Sequence, residues 1–366
     1  MKERILRLLV ALIGMAVGLA ALELPLRAWE MARNAGDLRG LHVTRPDRPW
    51  LYGLRPGADL RLTEPGEVRY RINAAGFRDR IHPLRKPDAV FRIVALGDSV
   101  TFGYGVEADE TYPKRLEALL AGRPPQRRVE VLNFGVGGYN AYNEAMLFAD
   151  LGPGYGPDLV LVQFCINDLN DPTLHFDRQT RLELGDLPDA AFPDPDHRLA
   201  PPSPGGAGLR LCRRLRTCSL IHDRLVDPEA WRSDPAAWAA TFAPRDGAEH
   251  VTEWSWLRAR YREIAQVAAG SGAGFVVLGF PFAAQLEDPA RRGAQVQLDQ
   301  MGRQEGWDTI DLLPAFQEGA RSQRLFADAW HPTAAGHRLA AQVVARELAC
   351  RGLLPVERSS DCDRGS

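Results

Sequence analysis

From Phe91 onward the chain alternates short, unbroken apolar runs with longer segments of helical periodicity, and this alternation restricts the fold more than any other property of the sequence. Phe91-Arg92-Ile93-Val94-Ala95-Leu96, ended by Gly97, reads as a buried strand. Val129 to Leu132, Asp158 to Phe164, Gly274 to Gly279 and Thr309 to Asp311 read the same way. Between them the spacing predicts helices over Tyr112 to Leu120, Tyr139 to Leu151, Thr252 to Ala269, Ala294 to Glu305 and Thr333 to about Ala349. The 158–164 run is continuously apolar, as expected of a strand covered on both faces. The pattern therefore predicts an α/β fold, a three-layer α/β/α sandwich around a mainly parallel sheet. In such sheets the functional groups sit just beyond the carboxyl ends of the strands.

Those positions carry a consistent set of residues. After the first strand comes Gly97-Asp98-Ser99-Val100-Thr101, a tight turn that can expose a serine hydroxyl and its backbone N–H. The second strand runs into Asn133-Phe134-Gly135-Val136-Gly137-Gly138, whose glycines let backbone N–H groups approach a ligand. The third is followed by Cys165-Ile166-Asn167-Asp168, where an asparagine amide can donate to a developing oxyanion. Near the C-terminus, Asp328-Ala329-Trp330-His331 puts a carboxylate three residues before an imidazole, which lets the aspartate set the tautomer that accepts a proton from serine. Each piece alone is an ordinary turn or loop. Their joint placement supplies a serine, two oxyanion donors and an Asp/His pair at the places where the fold predicts functional residues.

These blocks resemble the GDSL, or SGNH, hydrolase family of serine esterases and lipases, over about Phe91 to Ala349. The resemblance implies a flavodoxin-like SGNH fold, Ser99 as nucleophile, Asp328 and His331 completing a triad, and an oxyanion hole from Ser99, Gly138 and Asn167. Text such as Gly97 to Val106 and His331 to His337 is similar to membrane-anchored bacterial members. The implied reaction is hydrolysis of a carboxylic ester on a glycan, lipid or small molecule through an acyl-enzyme. Transfer of the acyl group to a glycan hydroxyl uses the same site, and a non-catalytic binding protein is disfavoured because no catalytic position is substituted. One departure stands out: Cys165 occupies the place of the usual glycine in Gly-x-Asn-Asp, adding bulk beside the oxyanion hole.

The rest of the chain is arranged around this core. Residues 1–30 open with Lys2, Arg4 and Arg7 before the uncharged run Leu8 to Leu22, a pattern expected of an N-terminal membrane anchor with the domain in the periplasm or outside the cell. A cleavable signal peptide, which would leave the protein secreted, and a buried helix are the rival readings. Residues 31–90 form an N-terminal extension with an extended stretch at 68–72. Residues 170–250 read as an insertion or lid, and 351–366 as a tail. The balance of 45 Lys+Arg against 47 Asp+Glu offers no basic surplus for nucleic acid. Cys212, Cys218, Cys350 and Cys362 allow one or two bridges in three alternative pairings, and no cysteine or histidine cluster has metal-ligand spacing, so no metal or other cofactor is expected. Among lesser features, Arg71 to Asp79 is expected to pack the extension onto the domain, the tryptophans at 231, 238, 254 and 256 to pack helices, His337 to be a polar partner in the last helix, and Asp98 to brace the serine turn.

Overall fold

A computed structural model describes residues 38–45, 47–62, 67–121, 128–169, 251–288, 292–355 and 362. The apolar N-terminal run, the insertion, Cys212, Cys218, Trp231 and Trp238 lie outside them. Among the described residues no helix is long and apolar enough to cross a membrane.

Two short antiparallel pairs come first: β1 (His42–Thr44) with β2 (Tyr52–Leu54), and β3 (Asp59–Leu62) with β4 (Val68–Arg71). Five parallel strands follow: β5 (Val90–Leu96), β6 (Arg128–Asn133), β7 (Leu159–Phe164), β8 (Gly274–Gly279) and β9 (Asp308–Asp311), side by side in the order β6-β5-β7-β8-β9. Each predicted core strand is present with its ends moved by at most one residue. The helices are α1 (Ser99–Phe102), α2 (Tyr112–Ala121), α3 (Ala141–Leu151), α4 (Val251–Gly270), α5 (Ala283–Glu287), α6 (Gly293–Glu305), α7 (Leu313–Gly319) and α8 (Ala334–Cys350). Periodicity does not mark β1, β2, β3, α1, α5 or α7, because three to seven residues are too few for a repeat to show.

Alternate residues of each strand point to opposite faces, and both faces are apolar because both are covered. On one side Ile93, Ala95, Val131, Leu161, Val276 and Ile310 meet Leu116 and Leu120 of α2, Phe316 of α7, and Ala341, Val344 and Leu348 of α8. On the other, Val94, Val160, Val162 and Val277 are buried on the side of α3, α4 and α6. A fully buried leucine such as Leu161 contributes about 2 kcal/mol through burial alone. The bridge Cys350–Cys362 selects one of the three pairings and ties the tail to the end of α8, while Cys165 is a free, half-buried thiol.

From Gly40 onward the extension belongs to the same compact unit as the sheet. Asn73 accepts the N–H groups of Ala75 (2.9 Å) and Phe77 (3.0 Å), forming a turn that presents Phe77 to Phe134 with ring centroids 4.2 Å apart. Asp79 accepts the N–H of Asn133 at 3.0 Å and pairs with Lys114 at 2.9 Å. Behind it, the buried Glu130 receives Arg92 at 2.9 Å and His82 at 3.4 Å. The 71–79 motif thus packs the extension onto the domain. Trp254 packs as well, its ring 5.7 Å from that of Phe164.

Candidate active site

Three adjacent strand ends, those of β6, β5 and β7, meet on one side of the sheet. Ser99 follows β5, Gly138 follows β6 and Asn167 follows β7, and because β6 and β7 flank β5 the loops diverge there and open a crevice. Ser99 begins the four-residue α1, braced by Asp98, whose Oδ1 accepts the Val100 N–H at 2.9 Å. A Cβ on Gly97 would lie 2.1 Å from Thr101 Oγ1 and 2.5 Å from Gln163 Oε1, so only glycine fits the approach to this turn. Gly135 has an equivalent constraint: a Cβ would lie 2.2 Å from the Phe102 nitrogen. The sequence suggests ligand approach for that glycine, whereas in the fold it presses β6's loop onto α1. Asn133 completes the seam by donating to the Thr101 carbonyl at 2.8 Å.

The imidazole arrives from the other end of the chain. Ala327 N–H donates to the His331 carbonyl (2.8 Å) and Thr333 N–H to the Leu325 carbonyl (2.8 Å), closing a tight loop ahead of α8. Thr333 caps α8 by accepting the Gly336 N–H, and a Cβ on Gly336 would lie 2.4 Å from the Leu325 carbonyl oxygen. The loop holds Asp328 and His331 on one turn. His331 Nε2 is 2.9 Å from Ser99 Oγ, and Nδ1 is 2.7 Å from Asp328 Oδ2. Asp328 Oδ1 also accepts the Trp330 and His331 backbone N–H groups, each at 2.8 Å. Partial burial pushes the Asp328 carboxyl up, but hydrogen bonding and charge attraction to His331 outweigh it and lower the pKa to about 2. It is a carboxylate at any working pH, which favours the Nδ1–H tautomer and leaves Nε2 facing the serine.

The two remaining residues stand in the wall made by the loops after β6 and β7. Gly138 has φ +80°, is exposed, and its N–H makes no hydrogen bond among the described residues. The next residue, Tyr139, accepts the Asn167 amide at 2.7 Å through its carbonyl and donates its own hydroxyl to the Tyr52 carbonyl at 2.5 Å. One amide proton of Asn167 is committed to that bond, which fixes the amide plane beside the crevice. Tyr52 of β2, outside the predicted core, is therefore part of the support for this wall.

Below the site lies a group of buried acids. Burial raises Asp98, which faces the Cys165 thiol and the Asn167 amide. Asp168 accepts the Cys165 N–H (2.9 Å) and the Tyr261 hydroxyl (3.1 Å), and burial raises it well above the carboxylate range. Glu144 is raised likewise by burial and by the nearby Asp168. Burial and these acids push the Cys165 thiol up, so it is no thiolate nucleophile. His337 is fully buried, accepts the Tyr112 N–H through Nδ1 at 3.1 Å, and is pushed down to about 3 by burial. It is a neutral packing partner, as expected for its helix. Among the described residues no group of three or more His, Cys, Asp or Glu side chains could hold a metal ion.

A serine, an imidazole and a carboxylate in one hydrogen-bonded line, with donors across a crevice, can carry out acyl transfer. The model of the GDSL-like lipase/acylhydrolase family matches residues 95–339, well over half of the chain and every residue of the line. The chain belongs to the GDSL-like lipase/acylhydrolase family. It is an ester hydrolase. Among solved structures, this GDSL-family hydrolase is similar to a G-D-S-L lipolytic protein from Veillonella parvula (13% identity, 69% of this chain, 96% of that one, TM-score 0.40). It is also similar to a variant of an acetyl-xylooligosaccharide esterase from Geobacillus stearothermophilus (16% identity, 70% and 94%, TM-score 0.42) and to an alpha/beta hydrolase from the Lake Arreo metagenome (21%, 74% and 98%, TM-score 0.40). No curated protein matches it. Tyr104 and Arg78 are the neighbours of the site that sequence reasoning misses. An aromatic residue between two glycines directly after the serine turn is the available signal for Tyr104.

Proposed function

We propose that this hydrolase cleaves acyl or O-acetyl esters of glycans or lipids through an acyl-enzyme on Ser99, outside the cytoplasm and tethered by its N-terminal apolar run. The observation that carries the chemistry is the 2.9 Å contact of His331 Nε2 with Ser99 Oγ, made across 232 residues of chain. Ser99 Oγ attacks the ester carbonyl and gives its proton to His331 Nε2, while Asp328 stabilises the imidazolium. The tetrahedral oxyanion is received by the Ser99 and Gly138 N–H groups and the second Asn167 amide proton, each donor contributing about 3 kcal/mol. Asp98 competes weakly for that amide, because burial disfavours its charged form. His331 then protonates the leaving alcohol. A water deprotonated by His331 attacks the acyl-Ser99 carbonyl, releasing the carboxylic acid and restoring the serine proton.

The basic start before the apolar run supports the tethered location, and the Cys350–Cys362 bridge fits an oxidising compartment. Hydrolysis of p-nitrophenyl acetate by Ser99→Ala at the wild-type rate would sink the assignment. A chain-length series of p-nitrophenyl esters, run beside acetylated xylan, tests the substrate class: preference for acetyl over octanoyl supports the glycan reading, and the reverse supports the lipid one. Recovery of the full-length protein in the alkaline-washed membrane fraction is expected, and recovery in the soluble fraction overturns the tether.

A further inference from the structure

We propose that Tyr104 is a positioning residue for the His331 imidazole, and that Arg78 and Tyr70, which precede the family-matched residues, act through it. The proposal rests on His331 being the base that activates Ser99. The Tyr104 ring lies 4.5 Å from the imidazole, centroid to centroid. It is tilted by 50° to the imidazole and packs against it, which opposes its rotation, while Nε2 meets Ser99 and Nδ1 meets Asp328.

Tyr104 stands between Gly103 (φ +87°) and Gly105 (φ +80°), a sequence that alone would leave its ring unplaced. Its neighbours fix it. The Tyr104 N–H donates to the carbonyl of Ser99 at 2.9 Å, so the nucleophile and this residue share one turn. The Tyr70 hydroxyl of β4 accepts the Gly105 N–H at 2.9 Å. Arg78 Nη1 donates to the Gly103 carbonyl at 2.6 Å and Nη2 to the Val106 carbonyl at 2.7 Å, one on either side of Tyr104. A lysine ammonium, a point donor, does not span both carbonyls in this way.

Arg78 is an unusual investment for packing alone. It is 1% exposed, lies 4.2 Å over the Tyr70 ring, and makes no ion pair with a carboxylate among the described residues. A buried guanidinium bound to carbonyls is costly to keep in a fold, and hydrophobic replacement is the usual stabilising alternative. What the charge achieves here is a fixed Gly103–Val106 loop, and the one side chain of that loop lying against the base is Tyr104.

The test is steady-state kinetics on p-nitrophenyl acetate with the full chain, alongside the rate of fluorophosphonate labelling of Ser99. Tyr104→Ala is expected to lower kcat and the labelling rate together by roughly 10- to 100-fold, with KM and Tm nearly unchanged. Tyr104→Phe, which keeps the ring, is expected to restore most of both. Arg78→Lys is expected to lower kcat in the wild-type background and to add little in the Tyr104→Ala background. If Arg78→Lys does not fold, Tyr70→Phe, which deletes only the acceptor of the Gly105 N–H, takes its place in the cycle. A kcat for Tyr104→Ala within about twofold of wild type overturns the proposal, as does equal loss in Tyr104→Phe or a fully additive cycle. Ser99→Ala separates the two readings: if it retains activity the acyl-enzyme itself is wrong, whereas an inactive Ser99→Ala beside an unaffected Tyr104→Ala rejects only the positioning role.

Discussion

Asp79-Arg80-Ile81-His82 and Asp328-Ala329-Trp330-His331 repeat the same spacing, and in both the imidazole lies against the aspartate, at 3.3 and 2.7 Å. They differ in what the second ring nitrogen meets. In His82 it faces a second carboxylate, Glu130, at 3.4 Å, and the Asp79 side chain is 3% exposed. In His331 it faces the Ser99 hydroxyl at 2.9 Å, and the Asp328 side chain is 47% exposed. The inner pair is enclosed by Lys114, Arg92 and Glu130 and joins the extension to the sheet. The outer pair is open on the side where a substrate must enter. The lesson is that Asp-x-x-His sets an imidazole against a carboxylate, and the group beyond it decides between cement and chemistry.

The largest way to break this contrast is to remove each imidazole. His331→Ala is expected to lower kcat/KM by about 10⁴- to 10⁶-fold with little change in Tm. His82→Ala is expected to keep kcat/KM within about tenfold while losing about 3 kcal/mol of stability in urea unfolding. A folded His82→Ala as inactive as His331→Ala would erase the distinction. Next come the aspartates: Asp328→Asn should cost about 10³- to 10⁴-fold in kcat through the wrong tautomer, and Asp79→Asn should act mainly on Tm.

A smaller effect sharpens the inner pair. Glu130→Gln leaves Arg92 buried without its carboxylate and is expected to destabilise by about 3 kcal/mol at neutral pH, read by urea unfolding. Hydrogen bonds and charge from Arg92, for Glu130, and from His82 and Lys114, for Asp79, overcome the cost of burial and hold both carboxyls below their ordinary 4.5 and 3.8. The stability they contribute is therefore complete above those values and is lost as pH falls through the depressed ones. His337 has no such effect at neutral pH and acts only as the pH falls. Its fold-imposed value of about 3 lies below the ordinary 6.5, so the unfolded chain takes up a proton first and stability declines between those two pH values, by at most about 1.4 kcal/mol per unit. His337→Gln should flatten that part of the pH–stability curve.

Much of the fold and of the candidate site is legible in the amino-acid sequence. Five helices are readable because each is long enough to show its period, and five strands because they are short runs set between those helices, while Ser99, Gly138, Asn167, Asp328 and His331 are readable because they stand beside those elements. What stays hidden depends on contacts between distant residues. Arg78 lies in the 71–79 stretch read as packing the extension onto the domain, but its partners Phe102, Gly103 and Val106 lie 24 to 28 residues away and leave no local signal. Tyr52 sits in a three-residue strand with no pattern of its own and acts through Tyr139, 87 residues on. The inner Asp-x-x-His carries no such signal because it follows no core strand, although its spacing equals that of the outer pair.

The 232 residues between Ser99 and His331 also set a clock. At about 5–20 residues per second of synthesis, Ser99 precedes His331 by roughly 10 to 50 s. Until the segment with His331 has been made and α8 has closed against α2, the hydroxyl of Ser99 is that of any surface serine. The hydrogen-bonded line from Ser99 through His331 to Asp328 therefore closes only late in the making of the chain.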